Sequence, residues 1–176
     1  MNKKLRLLVT DFCNKDCPLC CNKNFNTNSI PVITSGFEKY DEIIITGGEP
    51  LHPKTLDKTL ALIKYLKIIN PTPNQKIYLY TQYPPGIINV IDWVDGLVLT
   101  INSKVDLESF EGLNFAAKGE LNYKFSKKSL RLKVLKDIDI PKEIPLHMWD
   151  VVKDVVFIDN CPLPEGEDFK RLIDIS

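Results

Sequence analysis

The chain is 176 residues long, 44% hydrophobic and 26% charged, which suits one globular domain spanning 1–176 and is short for two. Its 23 Lys and Arg balance its 23 Asp and Glu, so no global field draws it toward nucleic acid or a charged membrane surface. No apolar run approaches the roughly 20 residues of a membrane span. The apolar stretch 5–9 is too short for a secretion signal and is broken by Arg6, so a cytoplasmic protein is expected.

In chain order, residues 4–10 are apolar with β-branched members and predict a first strand. Residues 11–28 are polar and aperiodic and carry Cys13, Cys17, Cys20 and Cys21, four of the five cysteines. A loop of this length in a compact domain is functional or disordered, and the cysteines argue for function. Residues 35–40 predict one or two helical turns capped by Thr34 or Ser35. Residues 42–46 form a continuous apolar run, as in a strand buried on both faces, and Gly47-Gly48-Glu49-Pro50 follows it.

Residues 53–69 give the clearest helical pattern. Leu56, Leu60, Ile63 and Leu66 recur at helical spacing, Leu62 and Tyr65 widen the stripe, Pro53 suits the first turn and Pro71 ends it. A third strand is predicted at 76–81, a short helix at 87–93, a fourth strand at 96–101 and a helix at 107–115 capped by Asp106. A fifth strand follows at 130–135, near an edge or open side. A helix at 141–151, a sixth strand at 155–159 and a closing helix at 169–175 complete the expectation.

Six strands alternating with helices or loops predict a parallel sheet with right-handed crossovers. Curled, this is the expected fold, an incomplete (β/α)6 TIM-like barrel. Flat, it is an open doubly wound sheet. In both, ligands gather at the carboxyl ends of the strands, so the cysteine loop and the Gly-Gly-Glu-Pro turn fall on one rim.

In a chain expected to be cytoplasmic, clustered cysteines read as a metal or redox site rather than as disulfides. The two histidines, His52 and His147, disfavour a histidine-rich zinc site. Three thiolates spaced C-x3-C-x2-C can hold three irons of a four-iron cluster and leave the fourth open to an exchangeable ligand. The alternative is structural zinc on Cys13, Cys17 and Cys20 with Cys21 or Cys161. Spacing alone favours the cluster and leaves zinc open.

The stretch from Leu5 to Asn14, followed by Cys17 and Cys20, resembles the opening of the radical S-adenosylmethionine (radical SAM) superfamily. Gly47-Gly48-Glu49-Pro50 is similar to that superfamily's second motif and stands at the matching place after the next strand. The resemblance implies a [4Fe–4S] cluster on Cys13, Cys17 and Cys20, with S-adenosylmethionine chelated at the open iron. An electron donor such as flavodoxin or ferredoxin is implied, as are reductive cleavage of the sulfonium bond and a 5′-deoxyadenosyl radical that abstracts hydrogen from substrate.

The same resemblance implies that Gly47 and Gly48 let the backbone approach the methionine moiety, that Glu49 accepts a hydrogen bond from its ammonium, and that Pro50 fixes the turn. It puts Leu19 beside the adenine, where the family often has an aromatic residue. Asn102, Ser103 and Lys104, at the end of the fourth strand, are the expected contacts to ribose and carboxylate. Cys21 offers a second register, C-x3-C-x3-C, but the family spacing favours Cys20. Cys161 alone is too little for a second cluster and reads as a buried small hydrophobe.

Gln82 ends the third strand with a standing similar to Asn102. Arg131 and Lys133 share a face of the fifth strand and are expected to line a solvated edge. Tyr78, Tyr80 and Tyr83 read as packing around the third strand, with Tyr80 as an alternative substrate wall. His52 reads as helix-entry surface, and His147, Trp149 and Trp93 as core or rim. The expected function is a small, oxygen-sensitive radical SAM enzyme whose opening suits a peptide or protein substrate. A glycyl-radical activase of an anaerobic ribonucleotide reductase and an enzyme of modified-nucleoside or cofactor synthesis are alternative subclasses. A zinc or iron–sulfur module that staples the loop 11–28 is the non-enzymatic alternative.

Overall fold

The protein is seen in a computed structural model that describes residues 3–15, 17, 20, 26–69, 71–156 and 163–174. Seven strands form its sheet: β1 (Lys4–Leu8), β2 (Glu42–Thr46), β3 (Lys76–Thr81), β4 (Gly96–Ile101), β5 (Ser129–Leu135), β6 (Asp150–Val155) and β7 (Glu167–Arg171). All pairings are parallel, in the order β6-β5-β4-β3-β2-β1-β7. Four α-helices are described: α1 (Leu56–Lys64), extended by a π-helical turn Tyr65–Ile69, α2 (Ile87–Val90), α3 (Lys104–Lys118) and α4 (Asn122–Phe125).

Side-chain alternation decides which face of the sheet is covered. Leu5, Leu7, Ile43, Ile45, Ile77, Leu79, Leu97, Leu99, Leu130 and Leu132 point to one side. There they share a core with Ile63 of α1, Ile87 and Val90 of α2, Phe110 of α3 and Phe125 of α4. Strands β1 to β6 step in one direction, and right-handed crossovers then keep the helices on that side. The opposite face is more polar. Arg6 there stands 5.0 Å from the Tyr80 ring centroid and Lys133 Nζ 5.8 Å from it, two cation–π contacts to one ring.

The expected (β/α)6 barrel is overturned. Among the described residues the sheet is open, β7 lies outside β1, and strands outnumber helices. The βα alternation fails because the β1–β2 connection carries only the 3-10 turns Thr27–Ser29 and Phe37–Lys39 among its described residues, and no helix is described between β5 and β6. Nor is the sheet doubly wound, since all four helices feed one core.

Three local expectations fall with it. The helix expected at 169–175 is replaced by a strand, Glu167–Arg171, which pairs in register with Lys4–Leu8. The edge of β1 needs partners for its backbone N–H and C=O groups. Arg6 Nε to Glu167 Oε2 at 2.7 Å and Tyr40 Oη to Asp168 Oδ2 at 2.8 Å reinforce the pairing. The helix expected at 141–151 is absent. Asn114 of α3 donates to Pro145 O at 2.8 Å and accepts from Trp149 Nε1 at 3.1 Å, which pins this connection in an irregular path. The sixth strand runs Asp150–Val155 rather than 155–159, and residues 157–162 lie outside the described residues. Among the described residues, no helix is long and apolar enough to cross a membrane.

Candidate functional site

The strands run parallel, so their carboxyl ends share one rim, and the two motifs meet there. Gly48 N donates to Thr10 O and Glu49 N to Phe12 O, each at 2.7 Å. These bonds lay the turn after β2 against the chain entering Cys13. The glycines make the approach possible: a Cβ on Gly48 would overlap the Phe12 carbonyl, and one on Gly47 the Thr10 carbonyl. Gly47 also has φ +144°, a backbone conformation that side chains rarely adopt. The close approach these glycines permit in this structure is therefore to the cysteine loop.

Glu49 is 1% exposed. Its Oε1 accepts from Leu51 N at 3.0 Å and Thr81 Oγ1 at 2.5 Å, and its Oε2 from Gln82 N at 2.7 Å. Burial pushes its pKa up, against these hydrogen bonds and the charge of Lys15. The carboxylate thus anchors the end of β3 to the turn. Thr55 and Thr59 hold the motif from the other side through the carbonyls of Glu49, at 2.6 Å, and Pro50, at 2.8 Å.

Cys17 is buried, Cys13 and Cys20 are half-buried, and none of the three is in a disulfide. Burial raises the pKa of Cys13, with added contributions from the charges of Glu49, Cys17 and Cys20. Burial also raises that of Cys17, with Cys20 adding to it. Among the described residues, no three His, Cys, Asp or Glu side chains are gathered closely enough to hold a metal ion.

Two of the three sulfurs already receive N–H groups. Lys15 N donates to Cys13 Sγ at 3.4 Å, and Asn102 Nδ2 to Cys17 Sγ at 3.1 Å. Acceptance of N–H bonds is what a metal-bound thiolate requires of its surroundings. The donor set therefore fits thiolate ligation in its chemistry: free thiols on one loop, N–H groups at two sulfurs, and a buried acceptor without a partner among the described residues, Asn102 Oδ1, beside Cys17.

No protein-family model matches this chain. No curated protein matches it in sequence.

The remaining expected residues divide. Asn102 and Gln82 reach Cys17, with Gln82 Oε1 3.5 Å from its sulfur. Ser103 is the N-cap of α3, accepting from Asp106 N at 3.2 Å. This replaces Asp106 in the capping role. Lys104 begins α3 exposed. Leu19, Cys21 and Cys161 lie outside the described residues. Arg131 pairs with Asp150 at 2.9 Å on the exposed side of the sheet. His52 packs on Phe12, ring centroids 4.8 Å apart, which puts it beside the cysteine loop. His147 is exposed and Trp149 is buried against Phe110.

Sequence reasoning missed Lys15, and missed that Asp106 pairs with it. Lys15 Nζ is ion-paired with Asp106 Oδ1, and Asp106 Oδ2 accepts from Asn102 N at 3.2 Å. The available signal was Ser103-x-x-Asp106, a capping pattern that puts Ser103, not Asp106, before the first turn.

Proposed function

We propose that this chain is a radical SAM enzyme that binds a [4Fe–4S] cluster through Cys13, Cys17 and Cys20 and cleaves S-adenosylmethionine reductively. The observation that carries the reading is the junction of the two motifs: Gly48 and Glu49 donate backbone hydrogen bonds to Thr10 and Phe12, at the mouth of the cysteine loop. When bound, the cluster and S-adenosylmethionine supply one-electron cleavage to methionine and a 5′-deoxyadenosyl radical. In this reading Glu49, held by Leu51, Thr81 and Gln82, keeps the turn in place. Asn102 and the Lys15 backbone donate to ligand sulfurs. Cys17, 8% exposed, is shielded from water.

Cytoplasmic residence, a flavodoxin or ferredoxin as electron donor, and a peptide or protein substrate belong to the same proposal. The test is anaerobic reconstitution. The protein should turn brown, bind about four irons, and release methionine and 5′-deoxyadenosine on reduction. The Cys17→Ala variant should do none of these. Colourless protein holding one zinc ion would sink the reading in favour of a structural metal module.

A further inference from the structure

The polar side chains at the ends of β3 and β4 form an ordered chain that ends on one sulfur. Glu49 Oε2 fixes the backbone of Gln82 at 2.7 Å. Gln82 Oε1 accepts from Asn102 Nδ2 at 2.7 Å, and the same Nδ2 donates to Cys17 Sγ at 3.1 Å. Both hydrogens of the Asn102 amide are thereby committed. Its Oδ1 is buried with no partner among the described residues. The free Cys17 thiol donates to Gln82 Oε1 at 3.5 Å. Once that sulfur is a ligating thiolate it is an acceptor, and turning the Asn102 amide over would then bring Oδ1 against both the sulfur and Gln82 Oε1. Gln82 therefore selects the orientation in which Asn102 presents N–H to sulfur.

We infer that Asn102 sets the reduction potential of the cluster through an N–H···S hydrogen bond to Cys17, with Gln82 as the positioning residue for its amide. This rests on the functional reading above. An N–H dipole aimed at a ligand sulfur stabilises the more electron-rich, reduced state, and hydrogen bonds to sulfur are among the factors that set cluster potentials. Burial strengthens the effect, because less water screens the dipole. Asn102 thereby takes a role other than the ribose contact expected of it.

The test compares reconstituted wild type with Asn102→Asp, Asn102→Leu and Gln82→Leu, with iron counted in each and midpoint potentials read by EPR-monitored titration. At full iron content, both Asn102 variants should titrate at more negative potential than wild type, and Gln82→Leu should shift the same way by less. Unchanged potentials at full iron would overturn the inference and leave the functional reading standing. Wild type that takes up no iron would overturn both. If the variants lose iron, the wild-type protein decides alone. Labelled with 15N-asparagine and reduced, it should show weak hyperfine coupling to a side-chain amide nitrogen, and absence of that coupling would also overturn the inference.

Discussion

Lys15, between Cys13 and Cys17, is ion-paired with Asp106 in the first turn of α3. Asp106 is 2% exposed and also accepts the backbone N–H of Asn102. One carboxylate thus ties the cysteine loop to the end of β4, where Asn102 meets Cys17. Lys15→Met would leave that carboxylate buried without its cation. The expected loss is about 3 kcal/mol, toward the lower end for a broken buried pair because Lys15 keeps some solvent contact. Urea unfolding measures it, and Asp106→Asn, which leaves unpaired only the Lys15 ammonium with its partial access to solvent, should lose less.

Gly48→Ala is expected to separate the two motifs. The new Cβ has nowhere to go but into the Phe12 carbonyl, so the turn or the loop must shift. Iron uptake on reconstitution should drop together with the unfolding midpoint. Uptake equal to wild type would mean that the junction is dispensable for the site.

Gly112→Ala is the opposite case. Gly112 lies within α3, and a Cβ there meets nothing within 4 Å. Replacing an exposed helical glycine should raise stability by about 1 kcal/mol. A rise in thermal midpoint with unchanged iron uptake is the expected result.

Asp95 gives a pH signature away from the site. Burial pushes its pKa up, but the hydrogen bonds from Lys67 at 2.7 Å and Ile77 N at 2.9 Å, with the charges of Lys67 and Lys76, outweigh it and bring the pKa below 3.8. A carboxyl with a depressed folded pKa stabilises the fold above its unfolded pKa and loses that contribution as pH falls through the folded value. The stability difference between wild type and Asp95→Asn should therefore be full at pH 6 and shrink below about 4.

Asn114→Ala should unfasten the connection that leads into β6. It removes the acceptor of the Trp149 indole N–H and the donor to Pro145 O. Stranding buried polar partners costs about 1–3 kcal/mol. A red shift in tryptophan fluorescence at low urea, before global unfolding, is the readout.

The strands β2, β3 and β4 were legible to the residue, because apolar runs bounded by turn residues report burial directly. The long helix was legible from its period, although its regular part begins at Leu56 and its last five residues wind as a π turn. The meeting of the two motifs on one rim, the candidate site, was legible, since parallel connectivity alone brings the ends of neighbouring strands together.

What local pattern could not carry was choice among partners. Residues 167–171 become a strand because β1, at the far end of the chain, offers an edge in register with them. Residues 141–149 stay irregular because Asn114 holds Pro145 and Trp149. Whether the sheet closes depends on what lies beside β1 and on which crossovers carry helices, and both are properties of the assembled layers. Asn102 shows the same division within the site. Its position at the end of β4 follows from the sequence, whereas its hydrogen bond to Cys17 depends on three chain segments meeting, with Gln82 held by Glu49. Periodicity and motif fixed which residues reach the rim. Tertiary packing decided which atoms touch there, because hydrogen-bond partners are chosen over ångström distances that no spacing along the chain encodes.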